Sequence, residues 1–270
     1  DQDKKVVRLQ AGHSLPYSTL VLSTGSVTNL GKIVGSQHAF VLKDVHDAVK
    51  LKSAILARAQ DYNRHIAISV VGGGPTGLEL VFDIDLMLRA LRRKNSNSHY
   101  TLRIVHSSDI FCSTSAPPIQ QYIHRALEKA GIEIVCNAMA QEITTNEIKT
   151  TQGMFHSDVT ILCAGVSPNT SMFGTLYKDE KGHIPVNAFL QTIERPSIFA
   201  LGDIITLNGA PVAKLAQTAV REASVVAHNI ARLMQGKDPN VTYAPKVVGM
   251  LFSLGFGDGV GKIGPVVVKG

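Results

Sequence analysis

The residues best suited to chemistry form a glycine-rich loop between a β-branched run and a helix-forming run, within Ile66–Leu80 (IAISVVGGGPTGLEL). Gly72, Gly74 and Gly77 have the spacing G-x-G-x-x-G. We expect Gly72 to make the tight turn, Gly74 to let the backbone approach a pyrophosphate, and Gly77 to let the helix pack closely. The N–H groups and the dipole at the helix start would face the phosphates. The alternative is an ordinary glycine-rich turn. The loop residues predicted to bind a dinucleotide are Gly72, Gly74, Pro75, Thr76 and Gly77.

A regular succession of strands and helices surrounds this loop. Strands that alternate with helices indicate βαβ units and a parallel sheet, so the pattern predicts an α/β fold. The expected elements are a helix at Leu51–Tyr62, a strand at Ile68–Val71, a helix at Thr76–Arg93, a strand at Thr101–His106, a helix at Pro117–Ala130 and a strand at Ile132–Val135.

A second pattern is an internal repeat of Val7–Asn29 in Ile148–Asn169. Each copy has a hairpin with a glycine turn, then a buried strand, then a small residue and a glycine (Thr24–Gly25 and Ala164–Gly165). We interpret it as the closing half of a dinucleotide-binding domain, used twice. The opening strand and glycine loop for the first copy are not in this sequence, so we expect a fragment of a longer chain. Chance similarity of two hairpins is the alternative. The two buried strands are expected at Thr19–Ser23 and Val159–Cys163.

A third candidate site follows the repeat. Ser197–Asp203 reads as a strand that runs into Gly202 and Asp203. Asp203 could accept a hydrogen bond from a ligand hydroxyl, or it could be a helix N-cap. A helix is expected at Pro211–Met234, and small residues near its start would let a flat ring approach the backbone. Those small residues are Ala213, Ala216 and Ala219.

Composition limits the other possibilities. The chain has 270 residues, 44% of them hydrophobic and 18% charged, which is typical of a globular protein. It has no apolar run of membrane-spanning length and no secretory signal at its polar start. The net charge is +6. We interpret the basic run Arg89–Lys94 as a solvated helix end, and we expect no nucleic-acid partner because no aromatic residues interleave it.

The cysteines argue against two kinds of site. They are far apart in sequence and form no C-x-x-C or C-x4-C pair, so neither a dithiol centre nor a zinc site is predicted. No metal site is expected elsewhere. The three cysteines are Cys112, Cys136 and Cys163.

Four motifs in this order resemble the two-dinucleotide-domain flavoprotein reductases. They are S-T-G at Ser23–Gly25, G-G-G-P-T-G at Gly72–Gly77, C-A-G at Cys163–Gly165 and A-L-G-D at Ala200–Asp203. Within that family, the chain is most similar to the single-subunit NAD(P)H:quinone oxidoreductases. These comprise type II NADH dehydrogenases and the apoptosis-inducing-factor-like, ferroptosis-suppressor-type enzymes. The segments that carry this closer resemblance are G-L-E-L around Glu79, Ile104–Ser107 and Leu251–Gly264.

The resemblance implies an α/β fold with two Rossmann-like dinucleotide-binding domains, the first incomplete. It implies FAD and NAD(P)H as cofactors, hydride transfer from NAD(P)H to flavin, and a quinone as acceptor. We place the parts of the FAD-binding domain at residues 1–43 and 166–240, the NAD(P)H-binding domain at 44–165, and the start of a C-terminal region at 241–270.

The resemblance also implies roles for particular residues. Glu79 would direct a carboxylate toward the nicotinamide side of the flavin, although a helix-start Glu can also serve the helix dipole. Lys214 would lie with Leu215 and Ala216 near the pyrimidine end of the flavin ring, or it could be a surface residue. Gln217 matches an A-Q near the quinone in type II dehydrogenases. Later glutamines of that helix are replaced here by Arg221 and Glu222. The other residues expected to contact a cofactor are Thr24, Gly25, His106, Ala164, Gly165, Gly202 and Asp203.

Cofactor choice is expected to depend on the end of the second strand. An acid there binds the ribose hydroxyls of NADH and repels the phosphate of NADPH. This sequence has His106, followed by Ser107 and Ser108. We therefore expect NADPH to be accepted comparably to NADH, with the serines and a protonated His106 receiving the phosphate.

Two other functions remain open at this point. One is a dithiol reductase of the same fold, and the other is a signalling protein that holds NAD(P)H without turnover. The resemblance implies a cytoplasmic or mitochondrial protein, with peripheral membrane contact through a C-terminal part outside this sequence. We also expect the 270-residue chain alone to retain FAD poorly, since the loop for the ADP half of FAD is absent.

Overall fold

The computed structural model describes residues 1, 3–31, 33–59, 65–94, 99–113 and 115–270. These residues form two compact units, which the chain enters alternately. Unit 1 contains Asp1–Val27 and Val166–Val247, and unit 2 contains Thr28–Gly165 and Val248–Gly270. The boundaries between the units lie after Val27, Gly165 and Val247. The domain boundaries predicted from the sequence lie after residues 43, 165 and 240.

Four helices are described, and no helix among the described residues is long and apolar enough to cross a membrane. The third has the predicted bounds, because prolines open it and Gly131, at φ 73°, ends it. The predicted start of the last helix at Pro211 was wrong, since Pro211 belongs to a short strand and Leu215 is the N-cap. Residues 60–62 of the predicted first helix lie outside the described residues. The helices are α1 (Val45–Ala59), α2 (Pro75–Lys94), α3 (Pro117–Ala130) and α4 (Ala216–Met234).

The strands are short in unit 1 and longest in the central sheet of unit 2. In chain order they are β1 (Val6–Arg8), β2 (Ser14–Pro16), β3 (Leu20–Leu22), β4 (Ser26–Thr28), β5 (Phe40–Val41), β6 (His65–Val71), β7 (His99–Val105), β8 (Glu133–Val135), β9 (Ala140–Ile143), β10 (Glu147–Thr150), β11 (Gly153–His156), β12 (Val159–Leu162), β13 (Val166–Pro168), β14 (Ile184–Val186), β15 (Ile198–Ala200), β16 (Ile205–Leu207), β17 (Ala210–Pro211), β18 (Gly249–Ser253), β19 (Gly259–Ile263) and β20 (Val266–Lys269).

Unit 2 is built on a five-stranded parallel sheet with the order β5-β12-β6-β7-β8. Strand β6 is buried from Ile66 to Val71, as expected for a parallel strand covered on both faces. Because β5 pairs with β12, the segment before α1 belongs to this unit. The last three strands also belong here: Phe252 and Val260 join its core, and the Tyr122 hydroxyl in α3 donates to Asp258 at 2.8 Å.

Unit 1 contains the first copy of the repeat beside a small core. Strands β1 and β2 form the hairpin, and β3 pairs in parallel with β15, where Leu22 lies opposite Ala200. In unit 2, the hairpin β10–β11 is followed by β12, which pairs in parallel with β6. The repeat predicted from the sequence is therefore present as the same succession of elements in both units.

Candidate nucleotide-binding sites

The glycine loop of unit 2 lies where the strand order of the parallel sheet reverses. From β6 the chain proceeds to β7 on one side and later returns as β12 on the other. Crevices of this kind at the carboxyl ends of strands are the usual ligand sites of open α/β sheets. Gly72 follows β6 and donates its N–H to Val105 at 2.8 Å, and Cys163 follows β12 and donates to Val71 at 2.7 Å. The loops after β6, β7 and β12 consequently meet at one edge.

Gly72 and Gly77 are required by close backbone packing. A Cβ on Gly72 would lie 2.2 Å from the Cys163 carbonyl oxygen, and its φ of 123° disfavours other residues. A Cβ on Gly77 would lie 2.0 Å from the Gly72 carbonyl oxygen. The tight turn and the close helix packing predicted for these two glycines are thus visible in the structure.

Gly74 has open space instead. A Cβ there would meet no atom within 4 Å, and Pro75 and Thr76 are exposed at the start of α2. The first N–H groups of a helix have no partner within the helix, so they can donate to an anion in front of it. This geometry fits a pyrophosphate. The binding roles of these three residues remain predictions.

His106 braces the glycine loop. Its Nδ1 accepts the Gly73 N–H at 3.1 Å, and its Nε2 lies 2.9 Å from Ser108 Oγ and 3.1 Å from the Ile110 carbonyl oxygen. The ring stacks on Phe111 with centroids 5.4 Å apart. Because Nδ1 accepts, these partners assign the ring proton to Nε2. Because Nδ1 accepts from Gly73, this nitrogen is not free to donate to a phosphate in this arrangement. The phosphate-binding role expected for His106 remains a prediction.

Gly73 and Phe111 pack with His106 at the glycine loop, and the sequence singled out neither. A Cβ on Gly73 would lie 2.5 Å from the Phe111 ring and 2.7 Å from His106 Cγ, so only glycine fits between loop and ring. The signal available in the sequence was a glycine at the middle position of Gly72–Gly74, which the G-x-G-x-x-G spacing does not require.

Glu79 lies in the second turn of α2, and its Oε1 accepts the Ser253 N–H of β18 at 3.1 Å. The carboxylate is therefore held by a tertiary contact with the last sheet of unit 2. This contact could not be foreseen, because 174 residues separate the two partners. Its predicted orientation toward a nicotinamide remains a prediction.

The two small-residue turns of the repeat make equivalent backbone bonds. The Gly165 carbonyl accepts the Asn29 N–H at 3.0 Å, and the Gly25 carbonyl accepts the Asn169 N–H at 2.9 Å. Thr24 adds a hydroxyl bond to the Asn169 carbonyl at 2.6 Å. Ala164, its counterpart in unit 2, has no hydroxyl to offer.

The site edge in unit 1 is formed by Thr24–Gly25 after β3 and Gly202–Asp203 after β15. Gly202 and Asp203 lie in a 3-10 turn, Gly202–Ile204, rather than at the end of a strand. Ser26 Oγ donates to Asp203 Oδ2 at 2.6 Å. Asp203 is not the N-cap of α4, since Leu215 holds that position. Its carboxylate is partly exposed and can still accept a ligand hydroxyl.

Glu222 is a buried carboxyl group beneath this turn. The residue is 0% exposed, and its Oε2 accepts the Gly202 N–H at 2.6 Å. Burial raises the pKa of Glu222, while the bond from Gly202 opposes that rise. The sequence showed Glu222 only as a departure from the glutamines of type II dehydrogenases. The structure gives it a local role in holding the turn.

Lys214 also contacts this turn. Its Nζ donates to the Asp203 carbonyl oxygen and lies 2.8 Å from His183 Nε2. It directly precedes Leu215 and Ala216, and Gln217 follows in the first turn of α4. A cation, a carboxylate and a helix start on one edge fit a flavin nucleotide, which has hydroxyls and an electron-poor ring that becomes negative on reduction.

The three cysteines are free thiols. Burial raises the pKa of Cys163 to about 12 and that of Cys112 to about 11, with the Glu79 charge contributing to the second shift. Burial also raises the pKa of Cys136. Thiols of this kind stay protonated at neutral pH and are poor nucleophiles, which argues against dithiol chemistry within this chain.

Comparison with known proteins finds relatives and solved structures that match nearly the whole chain. Human ferroptosis suppressor protein 1 is 26% identical over 280 residues, covering 97% of this chain and 69% of that protein. The type II NADH:quinone oxidoreductase Ndh of Mycobacterium tuberculosis is 26% identical over 295 residues, covering 98% and 63%. The solved structure of NDH2 from Plasmodium falciparum in complex with NADH superposes with a TM-score of 0.85 at 16% identity, covering 100% and 75%. That likeness shows the fold.

The family assignment rests on a separate comparison with protein-family patterns. The pattern of the family described as "Pyridine nucleotide-disulphide oxidoreductase" matches residues 1–223. It confirms the resemblance and the fold with two dinucleotide-binding domains, and FAD and NAD(P)H are the cofactors of this family. The chain belongs to the pyridine nucleotide-disulphide oxidoreductase family.

Proposed function

We propose that this protein is a FAD-dependent oxidoreductase that takes hydride from NAD(P)H and passes electrons to a quinone. The observation that carries the proposal is the glycine loop Gly72–Gly77. It is closed by backbone packing and open at Gly74, at the reversal of strand order. The quinone is supported by the name of the Mycobacterium tuberculosis relative, and the oxidoreductase class by the family.

In unit 2, the chain would bind and orient the nicotinamide nucleotide. The first N–H groups of α2 would hold the pyrophosphate beside Gly74. His106 would keep the loop in place through Gly73, so its role is to shape the site rather than to carry charge. Glu79, tied to Ser253, would offer a fixed carboxylate near the reacting end of the cofactor.

In unit 1, the chain would hold the flavin, which when bound accepts hydride and releases electrons singly or in pairs. Asp203 would accept a hydrogen bond from a flavin hydroxyl, and Thr24–Gly25 would flank it. The Lys214 ammonium and the start of α4 would oppose negative charge at the pyrimidine end. Leu215 and Ala216 would leave room for the ring, and Gln217 would face the acceptor.

The acceptor side differs from that of type II dehydrogenases. Glu222 is buried against Gly202, so its carboxylate does not extend toward an acceptor as a glutamine at that position would. Gln217 is therefore the polar residue of this helix that we assign to the quinone. Peripheral membrane contact belongs to the same proposal, because a hydrophobic quinone partitions into lipid.

The test measures flavin binding and turnover separately. The 270-residue chain alone is expected to retain little flavin. The complete natural protein is therefore purified with FAD and freed of unbound FAD, its visible spectrum is recorded, and NADH oxidation is followed with and without a water-soluble quinone. We expect flavin absorbance, bleaching by NADH and quinone-dependent turnover. Gly74→Val should abolish the bleaching at low NADH while the flavin remains bound. Bound flavin and bound NADH without turnover would instead favour a signalling protein.

A further inference from the structure

A tight loop in unit 1 presents His183 to Lys214. Asp179 Oδ1 accepts the N–H groups of Lys181 at 2.9 Å and His183 at 2.8 Å, and the Asp179 N–H donates to the His183 carbonyl at 2.8 Å. The loop leads directly into β14, whose three residues are buried. The backbone of His183 is thereby fixed, and its side chain is only 12% exposed.

The contacts of the His183 ring define which nitrogen carries the proton. Nε2 lies 2.8 Å from Lys214 Nζ, and an ammonium group has donors only, so Nε2 must accept. The ring proton then sits on Nδ1, 3.4 Å from Asp179 Oδ1. This tautomer is the opposite of the one assigned to His106.

Lys214 is thus held from two sides, by His183 and by the carbonyl oxygen of Asp203. A lysine side chain otherwise samples many rotamers, and these two contacts restrict it. Within the described residues, these contacts use two of the three donors of the ammonium. The third donor has no partner among the described residues, so it is available to a ligand at the Gly202–Asp203 turn.

We propose that His183 is a positioning residue that holds the Lys214 ammonium at the Gly202–Asp203 turn, so that its remaining donor is directed at the flavin. This inference rests on the proposed function, which places the flavin at that turn. His183 does not touch the flavin itself, and it acts through Lys214.

Burial and the neighbouring charges shift the pKa of both members of the pair. Burial lowers the pKa of His183, and the Lys214 and Lys181 charges lower it further, whereas Asp179 raises it. Burial lowers the pKa of Lys214 as well, and the charges of Asp203, Asp179 and Glu222 oppose that shift. Because the pKa of His183 is lowered, the contact is complete above its ordinary value of 6.5 and is lost as the pH falls through the lowered value.

The first experiment needs no flavin. Long-range ¹H–¹⁵N NMR of the histidine rings reports which nitrogen is protonated. We expect His183 to carry its proton on Nδ1 at pH 7.5, and we expect Lys214→Met to raise the pKa of His183, because a nearby positive charge is removed. A proton on Nε2 in the wild type, or an unchanged pKa in Lys214→Met, would overturn the contact.

The second experiment uses the complete natural protein loaded with FAD. Lys214→Met and His183→Ala should both make the flavin reduction potential more negative, and both should lower kcat by about tenfold, the loss expected for one charged hydrogen bond. The KM for NADH should not change, since NADH would bind in unit 2. His183→Gln, whose amide oxygen can accept from the ammonium, should restore part of the potential. Glu180→Ala, at an exposed position of the same loop, is the matched control and should match the wild type.

The outcomes separate the two proposals. A potential that does not respond to Lys214→Met would contradict the flavin placement in the proposed function, even if the NMR result stands. A response to Lys214→Met without a response to His183→Ala would overturn the positioning role of His183.

Discussion

The two copies of the internal repeat, Val7–Asn29 and Ile148–Asn169, have the same succession of elements but differ in the contacts that complete the site beside them. In unit 2, β12 lies next to a glycine loop that is closed by contact between backbones. A Cβ added to Gly72 would lie only 2.2 Å from the Cys163 carbonyl oxygen. In unit 1, β3 lies next to a turn that is held by side chains, namely Glu222, Ser26 and Lys214. A site held by backbone contacts needs glycines at fixed spacing, whereas a site held by side chains needs partners that can come from anywhere in the chain.

The largest expected effect tests the backbone contact. Gly72→Ala should lower the free energy of unfolding by roughly 3 kcal/mol, because it combines a strained φ with a clash against the Cys163 carbonyl. Gly25→Ala is the matched control in unit 1, where φ is 67° and the Cβ meets no atom. It should cost about 1 kcal/mol. Urea denaturation measures both, and equal losses would remove the distinction between the two turns.

The next effect concerns binding rather than stability. Gly74→Val should weaken NAD(P)H binding at least about tenfold, a loss of about 1.4 kcal/mol, because the side chain would occupy the space needed by the pyrophosphate. The fold should be kept, since no atom lies within 4 Å of the added Cβ. Gly174→Val, also in open space but in unit 1, is the control. Calorimetric titration that gives the wild-type affinity for a folded Gly74→Val protein would refute the assignment.

His106→Glu tests whether the residue after β7 determines the choice between NADH and NADPH. A glutamate can still accept the Gly73 N–H, and it adds a charge that binds ribose hydroxyls and repels the phosphate of NADPH. We expect the ratio of kcat/KM for NADH over NADPH to rise about tenfold, from comparable values in the wild type. Steady-state kinetics with both nucleotides measures this ratio. A ratio that does not move would place the ribose away from His106.

The smallest effect on stability is expected from a substitution that makes the two copies of the repeat alike. Thr24→Ala gives unit 1 the residue that unit 2 has at Ala164, and removes the 2.6 Å hydroxyl bond to the Asn169 carbonyl. The free energy of unfolding should fall by about 1 kcal/mol. Thr24→Ser retains the hydroxyl and should lose less. If the alanine variant is as stable as the wild type, the hydroxyl bond does not distinguish the units.

A second occurrence of the glycine spacing shows why the context of a motif matters. Gly259, Gly261 and Gly264 also match G-x-G-x-x-G, yet the first two lie in β19 and the third in the turn that follows. A Cβ on Gly261 would lie 2.1 Å from the Met250 carbonyl in the paired strand, so that glycine serves strand packing. The strand before the loop and the helix after it distinguish the Gly72 loop from this one.

The sequence by itself determined strands β6, β7, β8 and β12, helices α2 and α3, and the glycine loop of unit 2. Strand burial, helix-terminal Pro117 and Gly131, and glycine spacing are local properties of the chain. It also showed the repeat, since both copies follow the same local pattern. Only the tertiary structure decided that His106 braces Gly73, that Ser253 holds Glu79 and that His183 holds Lys214. These pairs are separated by 33, 174 and 31 residues. A side-chain hydrogen bond across such a separation leaves no periodic signal in the sequence, because its geometry exists only after the strands that carry it have packed.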